Sequence, residues 1–195
     1  RLIMGNANVA ESCVVEFASS ATNALFATFI ILLALALPPL TERDGIHVLL
    51  VQGIASVSML FLGGGVVHRL GTVPAYALSL ALATAALTAL ATAQGFAALA
   101  LGAVLLSVAA SVVHLVNVRM LASLPGGKSK IAGLYNLASM TGASFGAIGG
   151  GVLTRFVPVQ SIFWSWLPIL AVLAGVVALL HLRRRPVPVT AEANA

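Results

Sequence analysis

Charge is what this chain has least of: Asp, Glu, Lys and Arg together make up 8% of its 195 residues. So few charges cannot coat a water-facing surface, and side chains that are 60% hydrophobic call for lipid as solvent. A soluble domain is thereby excluded and an integral membrane protein is expected. Cysteine is nearly absent too. Cys13 alone allows no internal disulfide, and beside Val14 and Val15 its thiol reads as a small packed side chain. No His, Cys, Asp or Glu cluster has metal-ligand spacing, and no carboxylates pair at a catalytic spacing. Lys128, Ser129 and Lys130 follow Gly126 and Gly127 without the strand–loop–helix context of a phosphate-binding loop. No metal, no cofactor, no catalytic residue and no enzyme activity are therefore expected. An initiator methionine is missing as well: RLIMGNANVAES is neither a charged n-region nor an apolar h-region, so the chain is expected to be a piece of a larger protein.

What is present is long apolar sequence. A hydrocarbon core of roughly 30 Å takes about 20 helical residues to cross, and six stretches qualify: Cys13 to Leu37, His47 to Val67, Pro74 to Ala93, Phe96 to Leu121, Ile131 to Thr154 and Ser161 to Leu182. Between them lie Pro38-Pro39 with TERDG, the turn from His68 to Thr72, Gln94-Gly95, LPGGKSK, and residues 155–160. Residues 1–182 are expected as one bundle of two three-helix units, and residues 183–195, RRRPVPVTAEANA, as a polar cytoplasmic tail.

The net charge of +5 comes from ten basic and five acidic residues, and their positions matter more than their sum. Nucleic acid is not an expected partner. With both termini cytoplasmic, the inside holds Arg1, Arg69, Arg119, Lys128, Lys130 and Arg183 to Arg185, while the outside holds only Arg43 and Arg155. The positive-inside rule selects that orientation, in a cell (inner) membrane. Glu42 and Asp44 then fall in the first outer loop.

Polar groups inside spans are costly and point to function or to helix contacts. Span one carries Glu16, Ser20 and Asn23 on one face by the three-and-four rule. Span four carries Ser107, Ser111 and His114 on one face, with Asn117 a turn further on. Gln52 and Asn136 read as hydrogen-bonding groups between helices, and Trp164 and Trp166 as interfacial anchors. Span five contains GLYNLASMTGASFGAIGGG, in which Gly142, Gly146 and Gly150 form a stripe that lets another helix come close.

Two motifs resemble those of the major facilitator superfamily. In GGVVHRLGTV, after span two, Gly64, Arg69 and Gly71 match its loop signature; His68 stands where that signature has Asp, and Thr72 and Val73 replace a basic pair. In span five Gly133, Gly142, Gly146, Gly150 and Gly151 occupy every glycine position of its antiporter signature, with Ala147 in place of proline. The resemblance implies an all-α membrane protein of six transmembrane helices in two inverted three-helix repeats, one half of a twelve-helix facilitator fold. The missing initiator Met, the degenerate loop signature and a fourth span with no embedded Arg favour the C-terminal half.

The same resemblance implies transport of a small molecule by alternating access, with proton-coupled efflux first and a sugar or metabolite facilitator second. Spans one and four would line the substrate path, with Glu16, Ser20, Asn23, Ser111, His114 and Asn117 as pathway or proton-coupling residues. Spans two and five would meet the missing N-terminal half, so that Gly64, Arg69, Gly71 and the five glycines of span five serve as helix-interface and gating residues. Lipid, the missing half, a small-molecule substrate and protons are the expected partners. A six-helix scaffold without a transport cycle is a further alternative. TGASFGAIG also resembles the nucleophile segment of rhomboid proteases, but Ser144 lies about 13 residues, roughly 20 Å, from the cytoplasmic face and His181 within a turn of it, too far apart for a nucleophile–base pair.

Overall fold

The computed structural model describes residues 7–123 and 128–182. Seven helices follow in order: α1 (Ala7–Leu35), α2 (Glu42–Leu62), α3 (Gly64–Leu70), α4 (Thr72–Ala91), α5 (Phe96–Ser123), α6 (Lys128–Leu153) and α7 (Val159–Leu182). No strand occurs among the described residues. Local chemistry sets the breaks. Pro38 and Pro39 end the first crossing, and Thr41 then opens α2: its backbone N–H and its hydroxyl each donate to the Asp44 carboxylate at 2.7 Å. Glu42 and Asp44, expected in a loop, thus belong to the first helical turn, where carboxylates favour the positive end of the helix dipole.

Span two differs most from its expected bounds. It begins five residues earlier, at Glu42, and stops at Leu62, and the stretch 64–70 forms the short helix α3. Gly71 separates α3 from α4 at φ +78° and ψ 172°, a conformation essentially reserved for glycine. α1 likewise starts earlier than expected, at Ala7, which brings Glu11 and Ser12 into the helix.

Five of the six long helices, α1, α2, α4, α5 and α7, are long and apolar enough to cross a membrane. α6 has the length, but its glycines and hydroxyl residues dilute its apolar character. α1 and α5 occupy the centre, α1 touching α2, α5, α6 and α7, and α5 touching α1, α2, α4 and α6. If α1, α2 and α4 are one three-helix unit and α5, α6 and α7 the other, exchanging the units swaps α1–α6 with α5–α2 and α4–α5 with α7–α1. Those four are the most extensive packings in the bundle. The main core gathers Leu25, Phe26, Ile30 and Leu33 of α1, Leu87 and Leu90 of α4, Leu106 of α5, and Phe163 and Trp166 of α7. Trp166, expected as an interfacial anchor, is buried there and donates its indole N–H to Thr22 at 3.2 Å; Trp164 is 47% exposed.

The glycine stripe does not face outward. A Cβ on Gly142 would overlap the Phe17 carbonyl, one on Gly146 the Ala21 carbonyl, and one on Gly150 the Leu25 and Phe29 side chains. All of these belong to α1. The stripe expected to meet another half of a transporter therefore seats α6 on α1 within this bundle, because glycine lets two backbones approach where lipid gives no hydrophobic drive. Gly133 and Gly151 point elsewhere, with open space at their Cβ positions.

Candidate functional site

Glycine packing places the polar residues of α6 against those of α1. Tyr135 stands seven residues before Gly142 and so shares its helix face. Its hydroxyl donates to the Glu16 carboxylate, and Ser139, one turn on, meets Ser20 at 2.9 Å. Ser20 also donates to Glu16 at 3.3 Å.

Asn117 of α5 closes the cluster. Its amide N–H groups donate to Glu16 at 3.2 Å and to the Tyr135 oxygen at 2.8 Å, while its carbonyl accepts from the hydroxyls of Ser12 and, at 2.5 Å, Tyr76. Both donors and both acceptor positions of the amide are thereby used. The network joins α1, α4, α5 and α6 and is buried at Glu16, Ser12 and Asn117. Unsatisfied polar groups at that depth would be expensive, so full pairing is what makes the cluster tenable.

A second polar layer lies further along the same face of α1. Gln52 of α2 donates to Asn23 at 2.6 Å. Ser107 donates to the Gln52 carbonyl at 2.8 Å, and Ser111 and Ser56 lie 3.3 Å apart. His114 is exposed on the side of α5 that carries Ser107 and Ser111. Glu16, Ser20 and Asn117 are thus brought into one cluster, Asn23 and Ser111 into the adjacent layer, and His114 onto the open surface beside them. α1 and α5 form the floor of this polar face; α2 and α6 flank it.

The loop motif divides. Gly71 is required by its backbone angles, whereas Gly64 has free space where a Cβ would stand. Arg69 is exposed and forms no ion pair among the described residues. Val67, between them, is buried against Ala75, Tyr76, Val112 and Val116, which fixes α3 to α4 and α5. The side chain of His68 lies outside the described residues.

Three participants were not anticipated: Tyr76, Tyr135 and Ser12. The chain has two tyrosines, and both hydrogen-bond within this network. Their rarity in so apolar a sequence was the available signal. Ser12 lies before the expected start of span one. The protease arrangement is absent: Gly142 and Gly146 place Ser144 beside residues 17–21 of α1, whereas His181 stands against Glu11. About eight residues of α1, roughly 12 Å, separate those levels. Among the described residues no group of three or more His, Cys, Asp or Glu could hold a metal ion.

No curated protein and no solved structure gives a significant match to this sequence. A protein-family comparison does: the model described as Major Facilitator Superfamily matches residues 13–195. That match covers nearly the whole chain and agrees with an all-helical bundle whose first and fifth helices carry the polar face. The chain belongs to the Major Facilitator Superfamily of membrane transporters.

Proposed function

We propose that this bundle is the C-terminal half of a proton-coupled efflux transporter that works by alternating access. The polar face between α1, α2, α5 and α6 is its share of the substrate path. The observation that carries the reading is the Glu16 cluster, in which a buried carboxylate accepts from Tyr135, Asn117 and Ser20 on three helices. A proton arriving on Glu16 competes with the Tyr135 and Asn117 donors for the same oxygen, so protonation would loosen α5 and α6 from α1. That ties a proton to the shape of the path. The apolar, exposed side chains Ile54, Val57 and Phe61 of α2 and Met140 and Ile148 of α6 would border the missing N-terminal half. Both termini would be cytoplasmic in the inner membrane, as the basic residues direct.

A facilitator of sugars or other polar metabolites is the second reading, favoured by the neutral amides and hydroxyls of Asn23, Gln52, Ser56 and Ser111 in the adjacent layer. The full-length protein in inverted membrane vesicles separates the two. Ethidium accumulation driven by an imposed pH gradient, lost in Glu16→Gln and reduced in Tyr135→Phe and His114→Ala, supports proton-coupled efflux. Full activity in Glu16→Gln and His114→Ala would remove both coupling residues. Radiolabelled hexose equilibration without a pH gradient, and no ethidium flux, would favour the facilitator, and absence of all flux in a correctly inserted protein the non-transport scaffold.

A further inference from the structure

Four helices of the bundle close into a ring: α1 packs on α5, α5 on α4, α4 on α7 and α7 on α1. Across the ring, α1 and α4 do not pack extensively on each other. Between them lies a cavity of about 60 Å³. Small side chains leave it open, with Ala18 and Ser19 of α1, Ala83 of α4, and Ala109 and Ala110 of α5 among its walls.

Three lining residues carry hydroxyls: Ser19 and Thr22 of α1 and Ser79 of α4. Thr22 and Ser79 are buried, and each commits its proton to a carbonyl, Thr22 to Ala18 at 2.8 Å and Ser79 to Ala109 at 2.9 Å. Thr22 also accepts the Trp166 indole N–H at 3.2 Å. A hydroxyl oxygen has two lone pairs, so Thr22 keeps one and Ser79 both. Ser19 differs. It makes no hydrogen bond to its own helix or to any other described residue, and its oxygen is not closed over by protein.

Those groups select the occupant. It must donate to the lone pairs of Thr22 and Ser79 and accept from Ser19, and water does both. A water takes roughly 30 Å³ of liquid volume and needs two to four polar partners, so the cavity holds about two. An acyl chain or a transported solute is excluded by size, since ligand clefts run to roughly 300–1,000 Å³. A bare cation is excluded by charge, since none of the lining residues is a carboxylate. Dry space is tenable where the walls are wholly apolar, and here three hydroxyls face it.

We infer that this cavity binds about two ordered waters, which join Ser19 and Thr22 of α1 to Ser79 of α4 by hydrogen bonds. Tyr76 lies three residues before Ser79 on the same side of α4, and its hydroxyl stands 3.5 Å from Ser12 of α1. The waters continue that α4–α1 link one turn further into the bundle. Direct packing holds the sides of the ring, and water-carried hydrogen bonds span this diagonal.

The test is water-edited solid-state NMR on the full-length protein in lipid bilayers, with serine and threonine isotope-labelled. At mixing times too short for relay through neighbouring residues, the Cβ signals of Ser19, Thr22 and Ser79 should draw magnetisation from water. Ala83→Val and Ala110→Val each put two further carbons into the space and should lose that transfer, while the Ser56 and Ser111 signals keep their positions and so report an intact fold. Ser19→Ala should weaken transfer to Thr22 and Ser79, because the waters lose a partner although the space grows. No transfer in the wild-type protein would overturn the inference without recourse to any variant. Transfer that persists in both valine variants would overturn the location, and stronger transfer in Ser19→Ala would overturn the part given to the hydroxyls.

Discussion

Replacing Gly146 by alanine tests the most specific feature of the packing. The added methyl would stand inside the contact distance of the Ala21 carbonyl, which is backbone and cannot swing aside. α6 must then withdraw from α1, at an overpacking cost of about 1–3 kcal/mol. Withdrawal also stretches the Ser20–Ser139 and Tyr135–Glu16 hydrogen bonds, each worth on the order of 0.6 kcal/mol within a membrane. Alanine's better helix propensity returns about 0.8–1.0 kcal/mol. A net loss of about 1–2 kcal/mol results for Gly146→Ala, whereas Gly133→Ala and Gly151→Ala, with open space at Cβ, keep the propensity gain and meet no clash. Using about 2–4 °C per kcal/mol for a chain of this size, Gly146→Ala should melt several degrees below Gly151→Ala in the same detergent. Purified single-alanine variants followed by thermal unfolding provide the comparison. Equal melting of the two would show that the α1–α6 contact does not hold the bundle in the way described. A transport defect in Gly133→Ala or Gly151→Ala with normal stability would instead place those two glycines against another part of the transporter.

Three further outcomes follow from local geometry. Gly71→Ala should cost about 1–3 kcal/mol because its backbone angles exclude a side chain, and Gly64→Ala, measured by the same unfolding, should be nearly silent. Asp44→Ala removes both acceptor contacts to Thr41 and should lower stability by about 0.5–2 kcal/mol, read as faster hydrogen exchange over residues 42–46. In quenching by brominated lipids, Trp164→Phe should leave the shielded emission of Trp166, and Trp166→Phe the quenchable emission of Trp164; the reverse pattern would contradict the placement of α7.

The number of long helices was legible because lipid imposes one period and one length on each crossing. Helix ends were less so. Apolar runs mark where hydrocarbon begins, but helices continue past it, and Ala7 to Ser12 extend α1 through sequence no more apolar than a loop. The polar face of α1 followed from the spacing of Glu16, Ser20 and Asn23, since three- and four-residue steps fix direction without knowledge of any partner. Partners were another matter. That Tyr135 reaches Glu16 depends on which helix receives the glycine stripe, and one stripe fits any smooth neighbour. Gly142, Gly146 and Gly150 announced a close contact, and only the tertiary arrangement says that the contact is with α1.

The two lateral pairs, α1–α6 and α2–α5, solve the same packing problem with different chemistry, and the difference has a consequence for motion. On one side carbonyls of α1 at Phe17 and Ala21, four residues apart, face Gly142 and Gly146. On the other, carbonyls of α2 at Gln52 and Ser56, also four apart, accept from Ser107 at 2.8 Å and Ser111 at 3.5 Å. A glycine against a carbonyl is bare contact with nothing to exchange. A serine hydroxyl can trade its carbonyl for water or for a substrate hydroxyl at small cost, and α2 has far less of its surface buried in the bundle than α1. While an ionised Glu16 keeps the Tyr135 and Asn117 donors on α1, rearrangement should therefore concentrate at α2. Spin labels at Val57 and Val118 should report a broader distance distribution across α2–α5 than labels at Thr28 and Ile148 report across α1–α6, and Ser107→Ala with Ser111→Ala should widen only the first. Equal widths in the parent chain, or broadening of both pairs on loss of the serines, would refute the division into a fixed and a yielding side.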